Sequence, residues 1–307
     1  MATLAAIVVS WNVRELLASC LRSLLDDLRQ SDAESSVWVV DSASTDGTPQ
    51  MVRQGFPQVR LVALDENQGF AAGNNVALKE LISGPSRGGS PSFIWLLNPD
   101  TEIKPGAVST LLGAMKTFPQ AAVVGAKLVY TDGALQHCAF RFPGLIQLAF
   151  ELFPMPERLY ETSLNGRYPR RLYEAGTPFA IDHPLGASMM VRAEAISDVG
   201  LLDEGYRMYC EEIDWCWRMQ KAGWTVLCAP AAEVIHYGGQ STSQVPIPSF
   251  VNLWTSRARL YARHHGPLTW LLAQRMVRLS MRRRMANATP DVAQACRGIV
   301  RAWTEAR

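Results

Sequence analysis

Five clusters in this sequence combine carboxylate, amide, hydroxyl or imidazole side chains at the ends of apolar runs, where a ligand could be met. The first is Asp41-Ser42-Ala43-Ser44-Thr45-Asp46-Gly47-Thr48. A carboxylate such as Asp41 at a strand edge can accept from the N–H of a uracil or thymine, while Asp46 and Thr48 could equally cap the next helix. In the second, Asn67-Gln68-Gly69-Phe70-Ala71-Ala72-Gly73-Asn74-Asn75, small residues precede a helix start whose free N–H groups can face a phosphate. It is not the GxGxxG dinucleotide fingerprint, because Gly69 and Gly73 are four apart, and a tight glycine turn would also explain it. The third is Asn98-Pro99-Asp100 after Leu96-Leu97. Residues two apart on extended backbone share a direction, so Asn98 and Asp100 could offer hard oxygen donors to Mg2+ or Mn2+ bridging a diphosphate; a strand-ending turn competes with that reading.

The fourth cluster crowds Glu211, Glu212 and Asp214 into the start of an aromatic helix beside Trp215 and Trp217. The helix dipole accounts for one or two acids in a first turn. Aromatic neighbours and mutual repulsion raise a carboxyl pKa and suit it to general-base work, while the dipole pulls the other way. The last, Val234-Ile235-His236-Tyr237-Gly238-Gly239-Gln240-Ser241, holds a lone histidine, a residue more often structural than functional. If Asp100 binds a metal, His236 is a candidate further ligand, and imidazole favours manganese over magnesium.

These clusters need elements to hold them. Leu4 to Trp11 is an unbroken apolar run of strand length, and Val13, Leu16, Leu17, Cys20, Leu21, Leu24, Leu25 and Leu28 follow at helical spacing. Strands at Val37–Val40 and Leu61–Leu64 then alternate with helices at Thr48–Phe56 and Gly73–Ile82, with a Gly/Ser/Pro-rich connection over Ser83–Ser92 before a strand at Phe93–Leu97. Alternation with continuous apolar strands predicts a parallel sheet covered by helices on both faces, which binds ligands beyond the carboxyl ends of its strands. Residues Gln136 to Ile181 lose periodicity and read as a partly helical excursion; regularity returns in a strand at Ala187–Arg192, a helix at Glu212–Ala222 and a strand at Thr225–Cys228.

With 307 residues, 48% of them apolar, the chain can bury a substantial core in one or two lobes. A net charge of +2 gives no general attraction to nucleic acid, and none is expected as a partner. Positive charge is local: from Phe250 onward eleven Arg face only Asp291 and Glu305. Leu268, Leu271, Leu272, Met276, Leu279 and Met281 alternate there with Arg275, Arg278, Arg282, Arg283 and Arg284, the pattern of an interfacial helix that an anionic membrane surface would attract, or of a helix packed on the catalytic lobe. Six Cys without a CxxC pair point to a reducing cytosol. No signal peptide pattern and no run of about 18 apolar residues is read, so the expected location is cytoplasmic, with attachment to the inner face of the cytoplasmic membrane as an option.

In this order the clusters resemble the inverting glycosyltransferase family 2, and most closely its rhamnosyltransferase-like branch. The matching words are Val8-Val9-Ser10-Trp11-Asn12, Val40 to Thr48, Asn67 to Asn75, Leu97-Asn98-Pro99-Asp100, Gly186-Ala187-Ser188-Met189-Met190-Val191-Arg192, the acidic helix start and His236 to Ser241, spread over residues 4 to 243. The resemblance implies a GT-A fold, with a Rossmann-like mixed, mostly parallel sheet between helices. It divides the chain into a nucleotide-sugar half over 1–130, an acceptor and catalytic half over 131–245, and a basic helical extension over 246–307. It implies that Ser10, Asn12, Asp41, Asp46, Asn67, Gly69, Phe70, Asn74 and Asn98 line a dTDP- or UDP-linked sugar. It also implies that Asp100, the acid of a degenerate DxD motif, holds the metal and that Gly186, Ala187 and Ser188 meet the acceptor. Asn98 stands where the motif usually has Asp, and Glu212 where the family usually has the catalytic Asp, so Glu211 and Asp214 stay open as alternative bases. The implied reaction is a single displacement, best read as L-rhamnose passing from dTDP-L-rhamnose to a cell-envelope or exopolysaccharide glycan, lipid-linked or not. Two rivals are a non-catalytic sugar-nucleotide-binding scaffold and a nucleotidyltransferase, the second lacking a basic triphosphate loop in Ser10-Trp11-Asn12-Val13.

Overall fold

A computed structural model describes residues 3–83, 90–240 and 242–306. Its central strands are β1 (Thr3–Ser10), β2 (Glu34–Asp41), β3 (Arg60–Ala63), β4 (Phe93–Leu97), β5 (Thr101–Ile103) and β6 (Ala121–Val129). Short strands β7 (Leu135–Gln136), β8 (Ala139–Phe140), β9 (Phe179–Ala180) and β10 (His183–Pro184) follow, then β11 (Ser188–Arg192) and β12 (Thr225–His236). The helices are α1 (Arg14–Arg29), α2 (Thr48–Gly55), α3 (Phe70–Ser83), α4 (Ala107–Thr117), α5 (Leu145–Leu152), α6 (Glu157–Tyr160), α7 (Arg170–Glu174), α8 (Ala193–Val199), α9 (Glu211–Lys221), α10 (Pro246–His264), α11 (Pro267–Met285) and α12 (Pro290–Glu305).

The sheet runs in the order β3-β2-β1-β4-β11-β6-β12-β5. Neighbours β3, β2, β1 and β4 are parallel, as are β6 and β12, whereas β11 is inserted antiparallel between β4 and β6. The sheet is therefore mixed and mostly parallel. Strands β1 and β4 are unbroken apolar runs because both their faces are covered: Leu4, Ile7, Val8, Ile94, Trp95 and Leu96 are all buried.

Two expected elements need revision, and one strand has no counterpart among them. The strand expected to stop at Cys228 continues to His236. Pro230 and Glu233 interrupt its apolar run, and its register with β6 shifts between Ala229 and Glu233, so a bulge absorbs the residues that disguise it. Strand β5, three residues long and antiparallel to the end of β12, carries no sequence pattern of its own. Helix α3 starts at Phe70, three residues before the expected Gly73. Most of the connection expected over Ser83–Ser92, and Ser241 of the histidine cluster, lie outside the described residues.

The last three helices form a second, smaller core with α5. Trp254, Tyr261, Trp270 and Trp303 are buried in it, and Trp270 and Trp303 stack with ring centroids 5.3 Å apart. This corrects the tail pattern. Met281 is buried and Met276 packs on this core, while Arg283 and Arg284 lie over the rings of Phe153 and Phe250. Leu268, Leu271, Leu272 and Leu279 stay exposed.

Candidate active site

Strand register gathers the clusters at one end of the sheet. Ser10 pairs with Asp41 across β1 and β2, and Ser42 N–H donates to the Ser10 carbonyl at 2.9 Å. Leu97 lies opposite Ser188, and Asn98 N–H donates to the Ala187 carbonyl at 3.0 Å, which brings the Gly186 turn against the Asn-Pro-Asp turn. His236 lies opposite Thr101, and Tyr237 N–H donates to the Asp100 carbonyl at 3.0 Å, so the end of β12 is fastened beside Asp100. A cavity of about 250 Å³ opens there, bordered by Ser10, Ser42, Asn98, Asp100, Glu212 and His236. Asn67, Gly69, Phe70, Gly186, Ala187 and Glu211 line it as well.

The loop over the cavity depends on one glycine. Gly69 has φ +89°, and a Cβ there would sit 2.0 Å from the Arg207 carbonyl oxygen. No side chain fits that approach. The same carbonyl accepts from Phe70 N–H at 2.9 Å, and an Arg207 N–H donates back to the Asn67 carbonyl at 3.0 Å, so the helix α3 start is clasped to the segment preceding α9.

Several polar atoms at this end are buried without a partner: the Ser10 and Ser42 hydroxyls, Asp41 Oδ1, Asn74 Oδ1, Glu211 Oε2 and His236 Nε2. Leaving such a group unsatisfied costs about 1–3 kcal/mol; Ser10, Ser42, Glu211 and His236 border the cavity, whereas Asp41 and Asn74 are not among its lining residues. Asp41 is half committed, because its Oδ2 already accepts from Ser44 N–H at 2.9 Å. His236 Nδ1 lies 2.9 Å from Gln136 Oε1 and donates to it, which leaves the Nε2 lone pair turned toward Asp100 Oδ1 at 3.5 Å. Orientation by an outer partner is how ligating histidines are usually held. Among the described residues no group of three or more His, Cys, Asp or Glu stands together as a metal cage. Asp100 and His236 are two donors, so an ion held there would need its remaining ligands from a diphosphate or water.

At the start of α9, Tyr209 and Cys210 both have positive φ, 70° and 69°, a strained turn that aims two glutamates inward. Burial raises the Glu212 carboxyl above the usual range, although backbone N–H groups and the Arg257 charge oppose it. Glu211 is pushed well above, first by burial and then by the Glu212 charge. Desolvation thus outweighs the backbone N–H groups at both positions. Asp214 is turned elsewhere: it is fully buried, accepts from Arg218 at 2.8 Å, and its other oxygen lies 2.7 Å from His264.

Other expected residues support the site instead of lining it. The Asn12 side chain accepts from Thr45 N–H at 2.8 Å, and Asp46 accepts from Arg14 and Thr48 N–H at 2.9 and 3.0 Å, tying α1 to α2. Ser188 accepts from the Trp95 indole at 3.1 Å inside the core. The sequence assigns no role to Gln136 or Arg257, and none to Met208 and Tyr209 within the acidic cluster that they open. Gln136 lies in an aperiodic stretch, and Arg257 is one arginine among eleven in the tail.

A second cavity, of about 440 Å³, adjoins the first; Leu185, Tyr209 and Glu212 border both. It lies between the excursion and α10.

The family model described as glycosyl transferase family 2 matches residues 5–194. The N-acetylglucosaminyl-diphospho-decaprenol L-rhamnosyltransferase of Mycobacterium tuberculosis is 32% identical over 266 residues, covering 81% of this chain and 85% of the relative. Rhamnosyltransferase WbbL of Escherichia coli is 27% identical over 175 residues, 55% of this chain and 61% of that protein. Among solved structures, GalNAc-T7 with UDP, GalNAc and Mn2+ superposes with a TM-score of 0.60 at 13% identity, over 98% of this chain and 54% of that one. The mannosyltransferase PcManGT from Pyrobaculum calidifontis, in complex with GDP-Man and Mn2+, gives 0.55 at 14% identity, over 99% and 86%. These likenesses establish the GT-A fold.

Proposed function

Because this chain belongs to glycosyl transferase family 2 and is a glycosyltransferase, we propose that its first cavity holds a nucleoside-diphosphate sugar whose anomeric carbon is attacked, with inversion, by an acceptor hydroxyl. The observation that carries the reading is one cavity bordered by the unpartnered hydroxyls of Ser10 and Ser42 together with Asp100, His236 and Glu212, with Asp41 paired across the strands to Ser10. Asp41 Oδ1 receives the base N–H, a charge-assisted bond of about 1.5–3 kcal/mol. Asp100 and His236 would hold a divalent metal, Mg2+ or Mn2+, whose charge would offset that developing on the diphosphate leaving group. Glu212, which borders both cavities, takes the proton from the attacking hydroxyl, and Glu211, its pKa pushed up by burial and the Glu212 charge, borders only the donor cavity.

The finer assignment follows the relatives. The donor sugar is L-rhamnose, by analogy with the named activities of the two relatives, with dTDP as its carrier by the family resemblance, and the acceptor is a polyprenyl-diphosphate-linked sugar for envelope or exopolysaccharide assembly, by analogy with the mycobacterial protein. Since that acceptor resides in a bilayer, the enzyme works at the inner face of the cytoplasmic membrane.

The test is turnover of dTDP-, UDP- and GDP-sugars with a diphosphate-linked acceptor, with product anomers read by NMR. Asp100→Ala is expected to lose metal-stimulated nucleoside diphosphate release while keeping the wild-type melting temperature. Near wild-type turnover of that variant in chelator-treated buffer would remove the metal from Asp100.

A further inference from the structure

The second cavity is bordered by Arg141, Arg167 and Arg257, with Glu151 and Glu212 as the facing carboxylates. Arg257 comes from α10, beyond the stretch the family model matches. Its Nη2 is paired with Glu151, but Nε and Nη1 are buried with no partner. Arg167 pairs with Glu161 through Nη1, and its Nε is likewise buried and unpartnered. Three orphaned guanidinium nitrogens on two arginines of one cavity are costly unless something accepts from them.

We propose that this cavity is the acceptor site and that Arg257 and Arg167 receive a phosphate group carried by the acceptor sugar. This rests on the transferase reading above. A phosphate offers several oxygens in tetrahedral array and can answer all three N–H groups, whereas a carboxylate offers two oxygens. With Glu161 on Arg167 counted, three guanidinium groups meet three carboxylates, so the call for an acceptor comes from the unfilled N–H directions and not from net charge. Glu151 keeps the Arg257 guanidinium protonated although burial opposes its charge. The shared border at Leu185, Tyr209 and Glu212 then sets the sugar between its phosphate anchor and the base, so a hydroxyl remote from the phosphate is the one presented for attack. The anchor is a binding and positioning device and does not touch the reacting atoms.

Equilibrium binding tests this with the donor cavity first saturated by the nucleoside diphosphate that binds best. N-acetylglucosamine 1-phosphate, N-acetylglucosamine and glucuronic acid are then titrated into wild type, Arg257→Gln and Arg167→Gln. The sugar phosphate should bind at least about tenfold tighter than the other two ligands, an advantage that shrinks as salt rises and is cut by about tenfold in each variant. Nucleoside diphosphate affinity should stay unchanged in both variants. Equal binding of the three ligands by wild type overturns the proposal, as does equal or tighter binding of glucuronic acid. Should Arg257→Gln lose its cooperative melt, the wild-type comparison and Arg167→Gln still decide. Loss of nucleoside diphosphate binding by wild type would instead strike the transferase reading, so the two failures are separable.

Discussion

Glu212 has company that sharpens its role. Glu211 is more deeply buried and borders only the donor side, whereas Glu212 faces both cavities and Asp214 faces neither. The base must be ionised to act, and burial raises the Glu212 pKa above the ordinary 4.5. Turnover should accordingly fall as pH drops through that raised value, giving an acid limb displaced to higher pH than a solvated glutamate would give. Glu212→Gln keeps the size but cannot take the proton, so kcat should drop by about a hundredfold or more with donor affinity little changed. A steeper loss in Glu211→Gln than in Glu212→Gln, measured side by side, would move the role to the buried neighbour. At this scale the sequence was informative where a polar residue ends an apolar strand, as Asp41, Asn98 and Asp100 do. It was silent on Gln136 and Arg257, because nothing in an aperiodic stretch or an arginine-rich tail separates a buried donor from a solvated one.

An element can be judged by what holds it in place. Helix α9 must present Glu212 at a fixed angle, and Asp214, one turn in, is its anchor to α10. Burial alone would raise the Asp214 pKa, yet the hydrogen bonds with His264 and Arg218, and the charges of Arg218 and Arg263, bring it below the ordinary 3.8. A carboxyl with a depressed folded pKa stabilises above its unfolded value and loses that contribution as pH falls through the folded one. Asp214→Asn leaves Arg218 and His264 short of a buried anion and should destabilise by about 3–5 kcal/mol near neutrality. The gap from wild type should narrow below about pH 4, where the unfolded chain takes up the proton. Denaturant melts at neutral and acid pH measure both, and a variant as stable as wild type at neutrality would reduce the pair to a surface-like contact. Three carboxylates in one first turn drew attention to this helix, and only the packing of α10 reveals that they divide into two facing the site and one holding the helix. The same limit applies to β12. Its last residues are legible only once β5 is paired with them, because a three-residue strand and a bulged one carry too little periodicity to be seen alone.

For the whole molecule, the α/β core was the readable part, since alternating strands and helices must bury apolar runs in one way. The tail was ambiguous by the same logic, because a helix with apolar residues on more than one face satisfies either a core or a membrane. Here one face packs into the second core and apolar residues remain outside on another. Helix α11 packs Trp270, Ala273, Val277 and Met281 inward and leaves Leu268 at 70% exposure, with Leu271, Leu272 and Leu279 also outside. Arg275, Arg278 and Arg282 are exposed with them. Among the described residues no helix is long and apolar enough to cross a membrane, so contact with a bilayer would be through such a face. Apolar side chains that enter the headgroup boundary gain burial, and each guanidinium near an anionic surface adds about 1 kcal/mol that salt screens. The protein is therefore expected to sediment with vesicles containing anionic lipid at low ionic strength, to release at high ionic strength, and to bind neutral vesicles weakly. Leu268→Ser with Leu272→Ser should weaken sedimentation without lowering the melting temperature, since neither side chain serves the second core. Equal, negligible binding to anionic and neutral vesicles would leave α11 as a packing element, with the acceptor brought to the enzyme by other means.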